Sequence, residues 1–283
     1  MSLKDSLKKR LTAEELAEVR RAFDLIGDVA IVEIPERLRR KERLIARAVM
    51  EAHPMVRTVL AKAGKREGEL RTRKLRAISG KGTVTEHVEH GCRYRLDVRT
   101  VYFSPREATE RLRVAAQVKA GELVLVPFAG CGPFAILIAK RQPSAQVVGV
   151  ELGKEAAGYF QENAFLNRVA ERVSVVCGDF KKEAGRFRGF DRVLLPLPAD
   201  GWKFLPEALR TLKAGGMVHF YAFEGEDTMR FDPQGRVVKL GQSEGRLETA
   251  ARGLGRKIAV TGRARVHAYA PGVWKVCVDA RVL

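Results

Sequence analysis

Residues 123–140, LVLVPFAGCGPFAILIAK, constrain the fold of this chain more than any other segment. An uninterrupted apolar run comes first and is typical of a buried strand. A loop follows in which Gly130 and Gly132 permit a sharp turn and a close backbone approach, and Pro133 suits the first position of a helix. A buried strand, a glycine loop and a helix in this order indicate an α/β fold, in which such a loop can hold a nucleotide-like ligand.

The residues around this segment repeat the same alternation. The pattern predicts strands at 122–128, 146–152, 173–179, 191–198 and 215–223, alternating with helices at 133–141, at 154–168, up to about 213 and at 243–254. Such alternation implies a mostly parallel sheet with helices on both faces, and two further runs in 257–283 are expected to form an antiparallel pair at a mixed edge. We therefore predict a Rossmann-like α/β domain over 101–283, entered through a helix that Ser104 caps and Pro105 begins.

Residues 1–100 have a different texture and predict a small, basic α+β domain. An amphipathic helix is expected over 1–23, with Thr12 as a cap. A strand over 27–35, a helix that Pro54 ends and a strand over 56–64 should follow. Two alternating runs, TVTEHVEHG and CRYRLDVRTVYF, indicate antiparallel strands with one exposed face.

The charge of the chain indicates its class of partner. The 52 Lys and Arg exceed the 34 Asp and Glu, so the formal net charge is +18. Such an excess suits a polyanion, because neutralised phosphates release counterions; a thermophilic ion-pair surface or an anionic membrane are the alternatives. The sequence has no long apolar stretch, secretory signal, CxxC pair or histidine cluster of metal-ligand spacing, so we expect a cytoplasmic protein with no membrane span, disulfide framework or metal.

Groups that could face a ligand follow three successive predicted strands. The first is the glycine loop; Glu151 ends the second strand at the distance from Gly130 that the Rossmann fingerprint expects, where an acid can bond ribose hydroxyls. Asp179 ends the third. A tight turn or a solvated carboxylate explains each feature singly, but the three together favour an adenosine-containing cofactor. Ala135 at the sixth loop position and the GDF tripeptide favour S-adenosylmethionine over NAD.

Several motifs carry a resemblance to a known family. YFSPREATERLRVA, FAGCGPFAI, NAFLNRV and HAYAPGVWKVCVDARV closely resemble the archaeal and eukaryotic tRNA guanosine-37 N1-methyltransferases and their paralogue in wybutosine synthesis, the tRNA aminocarboxypropyltransferase. FDLIGDVAIVEIP and HPMVRTVLAKAGKREGELRTRKLRAISG extend the likeness over nearly the whole chain. The resemblance implies S-adenosylmethionine as cofactor and tRNA as partner, with the basic N-terminal domain on the anticodon stem-loop.

The resemblance also implies roles for single residues. Glu110 in ATER matches the general base toward guanine N1, and the chemistry agrees because the N1 proton must leave. Arg71 or Arg73 matches the arginine that stabilises charge developing on guanine O6. The alternative for Glu110 is a helical ion pair with Arg113 or Arg106. The residues assigned to the cofactor-binding site are Arg111, Phe128, Ala129, Gly130, Gly132, Pro133, Glu151, Leu152, Asp179, Phe180 and Pro196.

Two positions depart from the methyltransferase pattern. Val126-Pro127 replaces an acid before the loop, and Pro196 replaces the Asn of an N-L-P motif, which removes an amide and a backbone N–H. The paralogue also lacks this Asn and has an acid like Glu151, whereas Pro133 and Arg106 follow the methyltransferases. Methyl transfer to N1 of guanosine 37 is the first hypothesis, aminocarboxypropyl transfer to the wybutosine precursor the second, and a tRNA-binding member without catalysis the third.

Aromatic side chains are candidates for contacts with an unstacked base. Tyr102 and Phe103, just before the helix of Glu110, are expected to be better platforms than Trp202 and Trp274. Both tryptophans are expected to pack in the core or at an edge.

Overall fold

A computed structural model describes residues 3–8, 10–20, 22–67 and 72–283. The chain divides into two compact units, Met1–Arg106 and Glu107–Leu283. None of the helices in these ranges has the length and apolar character that a bilayer span requires.

The first unit joins helices to a four-stranded sheet. Its helices are α1 (Leu3–Leu7), α2 (Ala13–Glu18) and α3 (Glu42–Ala52), and its sheet holds β1 (Asp24–Ile26), β2 (Val29–Val32), β3 (Thr58–Glu67) and β4 (Thr72–Ser79) in that order. Only β2 and β3 pair in parallel. A separate hairpin consists of β5 (Val84–Glu89) and β6 (Cys92–Asp97). The α3 residues Ile45 and Val49 pack against Val59 of β3 in the core.

A basic cavity lies between α3 and β4. Arg43 and Arg47 line a cavity of about 530 Å³ together with Met50 and Glu51 of the same helix and Ile78 and Ser79 of β4. Both arginines are exposed, and in the described ranges neither guanidinium forms an ion pair or a hydrogen bond, although Arg43 is near enough to Glu42 to lower its pKa. They follow each other at i and i+4, so their guanidinium groups project from the same side of the helix.

Two arginines just before α3 are paired with acids. Arg37 lies 3.2 Å from Glu18 and Arg39 lies 3.0 Å from Glu36. Arg43 and Arg47 therefore differ from Arg37 and Arg39, whose charges are each paired with a carboxylate.

The second unit is a seven-stranded α/β fold. Its elements in chain order are α4 (Ala108–Ala115), β7 (Leu123–Pro127), α5 (Pro133–Arg141), β8 (Gln146–Glu151), α6 (Lys154–Leu166), β9 (Val173–Cys177), α7 (Phe180–Glu183), β10 (Phe190–Leu195), α8 (Leu205–Thr211), β11 (Leu212–Gly225), β12 (Met229–Phe231), β13 (Val237–Leu240), α9 (Gly241–Gly253), β14 (Ile258–Ala270) and β15 (Val273–Val282). The sheet order is β9-β8-β7-β10-β11-β15-β14, and β15 is antiparallel to both neighbours. The predicted mixed, mostly parallel sheet is confirmed.

The strand order locates the ligand edge of this sheet. From β7 the chain proceeds to β8 on one side and later to β10 on the other, so the order reverses between β7 and β10. In open α/β sheets the crevice beyond the carboxyl ends of the strands at this reversal is where ligands bind. The glycine loop of residues 128–132 lies there.

The two faces of the sheet differ in chemistry. Leu125, Val193 and Val218 face the apolar core that α8 and α9 cover. On the other face, Tyr221 of β11 donates to Glu110 of α4, and His219 of β11 contacts Asp279 of β15. A polar face buried under a helix requires partners for each of its groups, because an unpaired buried polar group is costly.

Two predicted helices are wrong in extent. Residues 1–23 do not form one helix, because Thr12 begins α2 with a capping box: its hydroxyl accepts from the Glu15 N–H, and the Glu15 carboxylate accepts from the Thr12 N–H. The predicted cap itself is confirmed. The helix expected to start at Ser104-Pro105 has a 3-10 turn over Pro105–Glu107, and the α-helix begins only at Ala108.

Candidate active site

The glycine loop leaves β7 through two left-handed residues. Phe128 has φ of 57° and Gly130 has φ of 58°. A bulky residue in this conformation is strained by about 1–3 kcal/mol. The Phe128 ring packs 4.8 Å from Phe204 and 5.8 Å from Phe180, so aromatic burial holds the strained backbone in place.

Gly132 caps α5 and has a steric role besides its φ of 87°. A Cβ atom at Gly132 would lie 2.0 Å from Cδ2 of Phe160, and one at Gly149 of β8 would lie 2.2 Å from Cε1 of the same ring. Phe160 of α6 is fully buried. We call Gly132, Gly149 and Phe160 the ring slot; it joins the loop, β8 and α6, a role that sequence reasoning did not assign to Gly132.

Asn163 is a site residue that sequence reasoning missed. Its buried side-chain amide donates to the Cys131 carbonyl at 3.1 Å, and the Asn167 amide donates to the Asn163 carbonyl at 2.8 Å. This pair ties α6 to the middle of the loop. The signal was two asparagines at i and i+4 on an otherwise apolar helix face, within the NAFLNRV motif.

Glu151 contacts the glycine loop directly. Its two carboxylate oxygens accept from the N–H groups of Gly130 at 2.7 Å and Gly153 at 2.8 Å. Burial raises the pKa of Glu151 and outweighs these N–H groups, which lower it. Glu151 thus forms a hydrogen-bonded clamp between the ends of β7 and β8, a role that the sequence did not predict, and its bond to a ribose stays a prediction.

The remaining residues assigned to the cofactor site lie on the same edge in different surroundings. Asp179 caps α7, accepting from the Lys181 N–H at 2.9 Å. Leu152 is exposed, Phe180 is buried, and Pro196 is half-buried directly after β10. The structure brings Gly130 to Glu151 and Phe128 to Phe180. Ala129 is buried between these contacts, and Pro133 begins α5.

Glu110 lies at this edge on the buried side of α4. Its Oε1 accepts from the Tyr221 hydroxyl at 2.7 Å and from Nη2 of Arg113 at 2.8 Å, and its Oε2 accepts from Nε of Arg113 at 2.7 Å. Tyr221 follows Phe220, which pairs with Leu195 at the end of β10. The i,i+3 ion pair considered from the sequence is thus present, and it holds the Glu110 carboxylate at the carboxyl edge.

A second buried acid, Glu107, directly precedes α4. Glu107 accepts from the Lys275 ammonium of β15 at 2.7 Å, and its carboxylate is 4.0 Å from the guanidinium of Arg111. Burial alone raises the pKa of Glu107, but Lys275, His267 and Arg111 together hold it far below its usual range. Arg111 is almost fully buried at 2 % exposure.

A polar row continues from Glu110 across the sheet. Arg113 donates to Asp279 of β15, Asp279 contacts Nδ1 of His219 at 2.6 Å, and Nε2 of His219 contacts Arg192 of β10 at 2.6 Å. Burial lowers the pKa of His219, so the ring is neutral at pH 7, with the proton on Nδ1 facing Asp279. Arg192 also donates to Glu122 at 2.7 Å.

Part of this row has metal-ligand chemistry. The ligand atoms of His219, Cys277 and Asp279 lie within 4.8 Å of one another. Their surroundings disfavour a cation, because Arg113 and Arg192 already bring two positive charges to the row. Burial raises the pKa of the Cys277 thiol well above its usual value, which keeps it neutral.

Three further expectations from the sequence concern Arg71 and Arg73, Phe103, and Trp202. Arg71 lies outside the described residues, and Arg73 belongs to β4 but its side chain is also outside the described part. Phe103 as a stacking platform is wrong, because its ring is 7 % exposed and packs 5.7 Å from Tyr94. Of the two alternatives for Trp202, packing in the core is wrong, because the side chain is 41 % exposed, with the Arg246 guanidinium 5.3 Å from its ring centre.

Comparison with known proteins identifies the family. The TRM5/TYW2 methyltransferase domain matches residues 85–247, and the TYW2 N-terminal domain matches residues 3–83. tRNA (guanine(37)-N(1))-methyltransferase Trm5b of Pyrococcus abyssi is 39 % identical over 262 residues, which are 92 % of this chain and 74 % of that protein. The tRNA(Phe) (4-demethylwyosine(37)-C(7)) aminocarboxypropyltransferase of Pyrococcus horikoshii is 31 % identical over 280 residues, which are 99 % of this chain and 96 % of that protein.

A solved structure extends the comparison to the cofactor. TYW2 of P. horikoshii in complex with MeSAdo has a TM-score of 0.79 and 29 % identity, and covers 99 % of this chain and 98 % of its own. Solved relatives hold MeSAdo or AdoMet. The residues at the strand reversal fit such a cofactor: a glycine loop before a helix N-terminus, and carboxylates after the second and third strands. The chain belongs to the TRM5/TYW2 methyltransferase family, which uses S-adenosylmethionine to modify tRNA.

Proposed function

We propose that this protein transfers the methyl group of S-adenosylmethionine to N1 of guanosine 37 in tRNA. The observation that carries the proposal is the buried Glu110 carboxylate beside Tyr221, at the carboxyl edge of the sheet. Guanine N1 is protonated at neutral pH, so a methyl group can be added there only if a proton leaves. The 39 % identity to Trm5b of P. abyssi over 92 % of the chain supports the same reaction.

The Glu110 carboxylate has a lone-pair site with which it can accept that proton. A carboxylate offers about four lone-pair sites, and within the described residues Glu110 uses two on Oε1 and one on Oε2. The fourth site, on Oε2, is the one that we assign to the substrate. S-adenosylmethionine supplies an electrophilic methyl group on a sulfonium. Glu110 Oε2 accepts the N1 proton as the N1–methyl bond forms, and the pair of electrons of the broken bond remains on sulfur.

The target base must leave its stack to reach this edge. Pro196, directly after β10, presents no backbone N–H and no side-chain amide to it. We therefore infer that base orientation depends on groups other than the one found at this position in related methyltransferases. Arg71 and Arg73 remain our candidates for stabilising charge on O6.

Aminocarboxypropyl transfer at position 37 is the second candidate. The match of residues 3–83 to the TYW2 N-terminal domain favours it, as does the 96 % coverage of the P. horikoshii aminocarboxypropyltransferase. Pro196 is compatible with both candidates. In either reaction the nucleophilic atom of the base loses a proton as it bonds to the transferred carbon, and the electron pair of the broken carbon–sulfur bond stays on sulfur, so Glu110 retains its role.

Mass spectrometry distinguishes the candidates. Purified tRNA carrying guanosine at position 37, and tRNA carrying the wybutosine precursor, are each incubated with the protein and isotopically labelled S-adenosylmethionine. A gain of one methyl group on the guanosine substrate supports the first proposal. An aminocarboxypropyl gain on the precursor replaces it with the second. No gain with retained tRNA binding indicates a member without catalysis.

We also propose that the cavity at Arg43 and Arg47 binds tRNA phosphates. Replacing both arginines with Ala should weaken tRNA binding and lower the slope of log K against log salt by about 2, since each phosphate contact contributes about 1. Fluorescence anisotropy over a range of salt concentrations measures this slope. Arg37→Ala with Arg39→Ala is the matched control, because it removes the same charge from arginines that are already paired. Equal slope changes in the two double variants would contradict the assignment.

Glu151→Ala should weaken cofactor binding by at least 10-fold, since about 1.4 kcal/mol corresponds to a factor of 10. The substitution removes the proposed ribose partner and also the acceptor for the Gly130 N–H. Isothermal titration with S-adenosylmethionine measures the change, and circular dichroism checks the fold. Cofactor affinity equal to that of the unaltered protein would count against a ribose contact.

A further inference from the structure

The Arg113 guanidinium lies between two carboxylates. Toward Glu110 it donates through Nε and Nη2, and toward Asp279 it donates through Nη1 at 2.5 Å and Nη2 at 3.1 Å. Nη2 therefore serves both acids. Arg113 can make such a double fork because its donors lie on two edges of one plane.

Asp279 is held firmly in this position. It accepts from Nδ1 of His219 at 2.6 Å, from the Gln117 amide at 3.3 Å and from the Cys277 thiol at 3.3 Å, in addition to Arg113. The hydrogen bonds of His219 and Arg113 lower the pKa of Asp279 far below its usual range, although burial opposes them. Asp279 is therefore a permanent negative charge beside Arg113.

Several charged and titratable groups of the described residues surround Glu110. They are Glu107 just before α4, Arg111 and Arg113 on α4, Tyr221 and His219 on β11, Lys275, Cys277 and Asp279 on β15, and Arg192 on β10. Burial raises the pKa of both Tyr221 and Cys277 well above their usual values, so both are neutral at physiological pH. His219 is neutral as well. Of the groups that make hydrogen bonds to Glu110, Arg113 is the one that bears a charge.

We propose that Asp279 is a positioning residue for Glu110. By accepting hydrogen bonds from Nη1 and Nη2 of Arg113, Asp279 keeps the Glu110 carboxylate able to accept the substrate proton. The inference rests on the proposed role of Glu110. If Arg113 were paired with Glu110 alone, it would strongly stabilise the ionised form of the Glu110 carboxylate, which would then be a poor proton acceptor. Asp279 weakens this attachment and adds its own negative charge nearby, while the fork still fixes the orientation of the carboxylate.

Asp279→Asn and Tyr221→Phe should have opposite effects. Asp279→Asn removes the negative charge that competes with Glu110 for Arg113, although the amide oxygen can still accept one hydrogen bond. The acid limb of the single-turnover rate should therefore move to lower pH by about one unit, and the plateau rate should fall about 3- to 10-fold. Tyr221→Phe removes a donor to the Glu110 carboxylate, so the same limb should move to higher pH by about half a unit. The rate is measured with tRNA and saturating S-adenosylmethionine between about pH 4.5 and 8.5, a range chosen to bracket the roughly neutral working pH.

The outcomes separate this inference from the proposed function. If Glu110→Gln abolishes transfer but Asp279→Asn lowers the rate equally at every pH, Asp279 is only structural and the inference fails while the function stands. If Glu110→Gln leaves the rate intact, both fail. Thermal unfolding shows whether each variant is folded. If Asp279→Asn is unfolded, Asp279→Glu is tested instead; it keeps the negative charge, so the acid limb of its rate profile should lie at the same pH as in the unaltered protein. A shift of that limb by a full pH unit in Asp279→Glu would overturn the inference.

Discussion

Glu110→Gln is expected to lower the rate of group transfer by about 100-fold or more while S-adenosylmethionine affinity changes by less than about 2-fold, because general bases typically contribute about 10²–10⁴. The amide has the shape of the carboxylate but cannot take a proton from the base. Single-turnover kinetics with saturating cofactor measure the rate, and isothermal titration measures cofactor binding.

The control for Glu110→Gln is a test of its fold, because the variant can keep part of the hydrogen bonding of Glu110. The amide oxygen of the Glu110→Gln variant could still accept from Tyr221 and Arg113, so thermal unfolding should show a native fold with lower stability. Glu110→Ala removes the whole carboxyl group and should be as inactive as Glu110→Gln. Transfer at more than about a tenth of the unaltered rate by a folded Glu110→Gln variant would exclude Glu110 as the proton acceptor.

Gly132→Ala should destabilise the second unit by about 2–5 kcal/mol, because it adds left-handed strain and overpacks the buried ring slot. The new Cβ would lie 2.0 Å from the Phe160 ring, so either the loop or α6 must move. Cofactor binding should be lost together with the loop geometry. Urea unfolding followed by circular dichroism gives the stability, and isothermal titration with S-adenosylmethionine gives the binding.

Two further variants locate the cause of that loss. Gly158→Ala alters a glycine of the same helix as Phe160, where nothing lies within 4 Å of the added carbon, so it should be neutral or slightly stabilising. Adding Phe160→Leu to Gly132→Ala should recover the steric part of the loss but not the backbone part. If the double variant is as unstable as the sum of the two single variants, the ring slot is not the source of the effect.

The elements of the second unit could be predicted closely because apolar runs and glycines mark their limits. The helix expected at 133–141 matches α5, and the strand expected at 146–152 ends one residue after β8. Short elements were harder. β1 and the β12–β13 hairpin were missed, since strands of three or four residues carry too little periodicity.

The site could be predicted in type but not in its connections. Glu110 and Arg113 are three residues apart, so their pairing was foreseeable from helix geometry. The bond from Tyr221 to Glu110 spans 111 positions, and nothing local in either segment indicates the other. Gly132 was correctly placed in the loop, but its steric reason is a ring on α6 that only packing brings near.

The attachment of α4 has a consequence for the order in which the molecule assembles. Glu107 and Arg113 reach Lys275 and Asp279 on β15, and the second of these pairs spans 166 positions. Contacts of such separation carry a large loop-closure cost and tend to form late in folding. The glycine loop, by contrast, connects neighbouring strands and can form early. We therefore expect competence for group transfer to depend on completion of the sheet, because a partly folded chain that already has the loop would lack the contacts that position Glu110, its proposed proton acceptor.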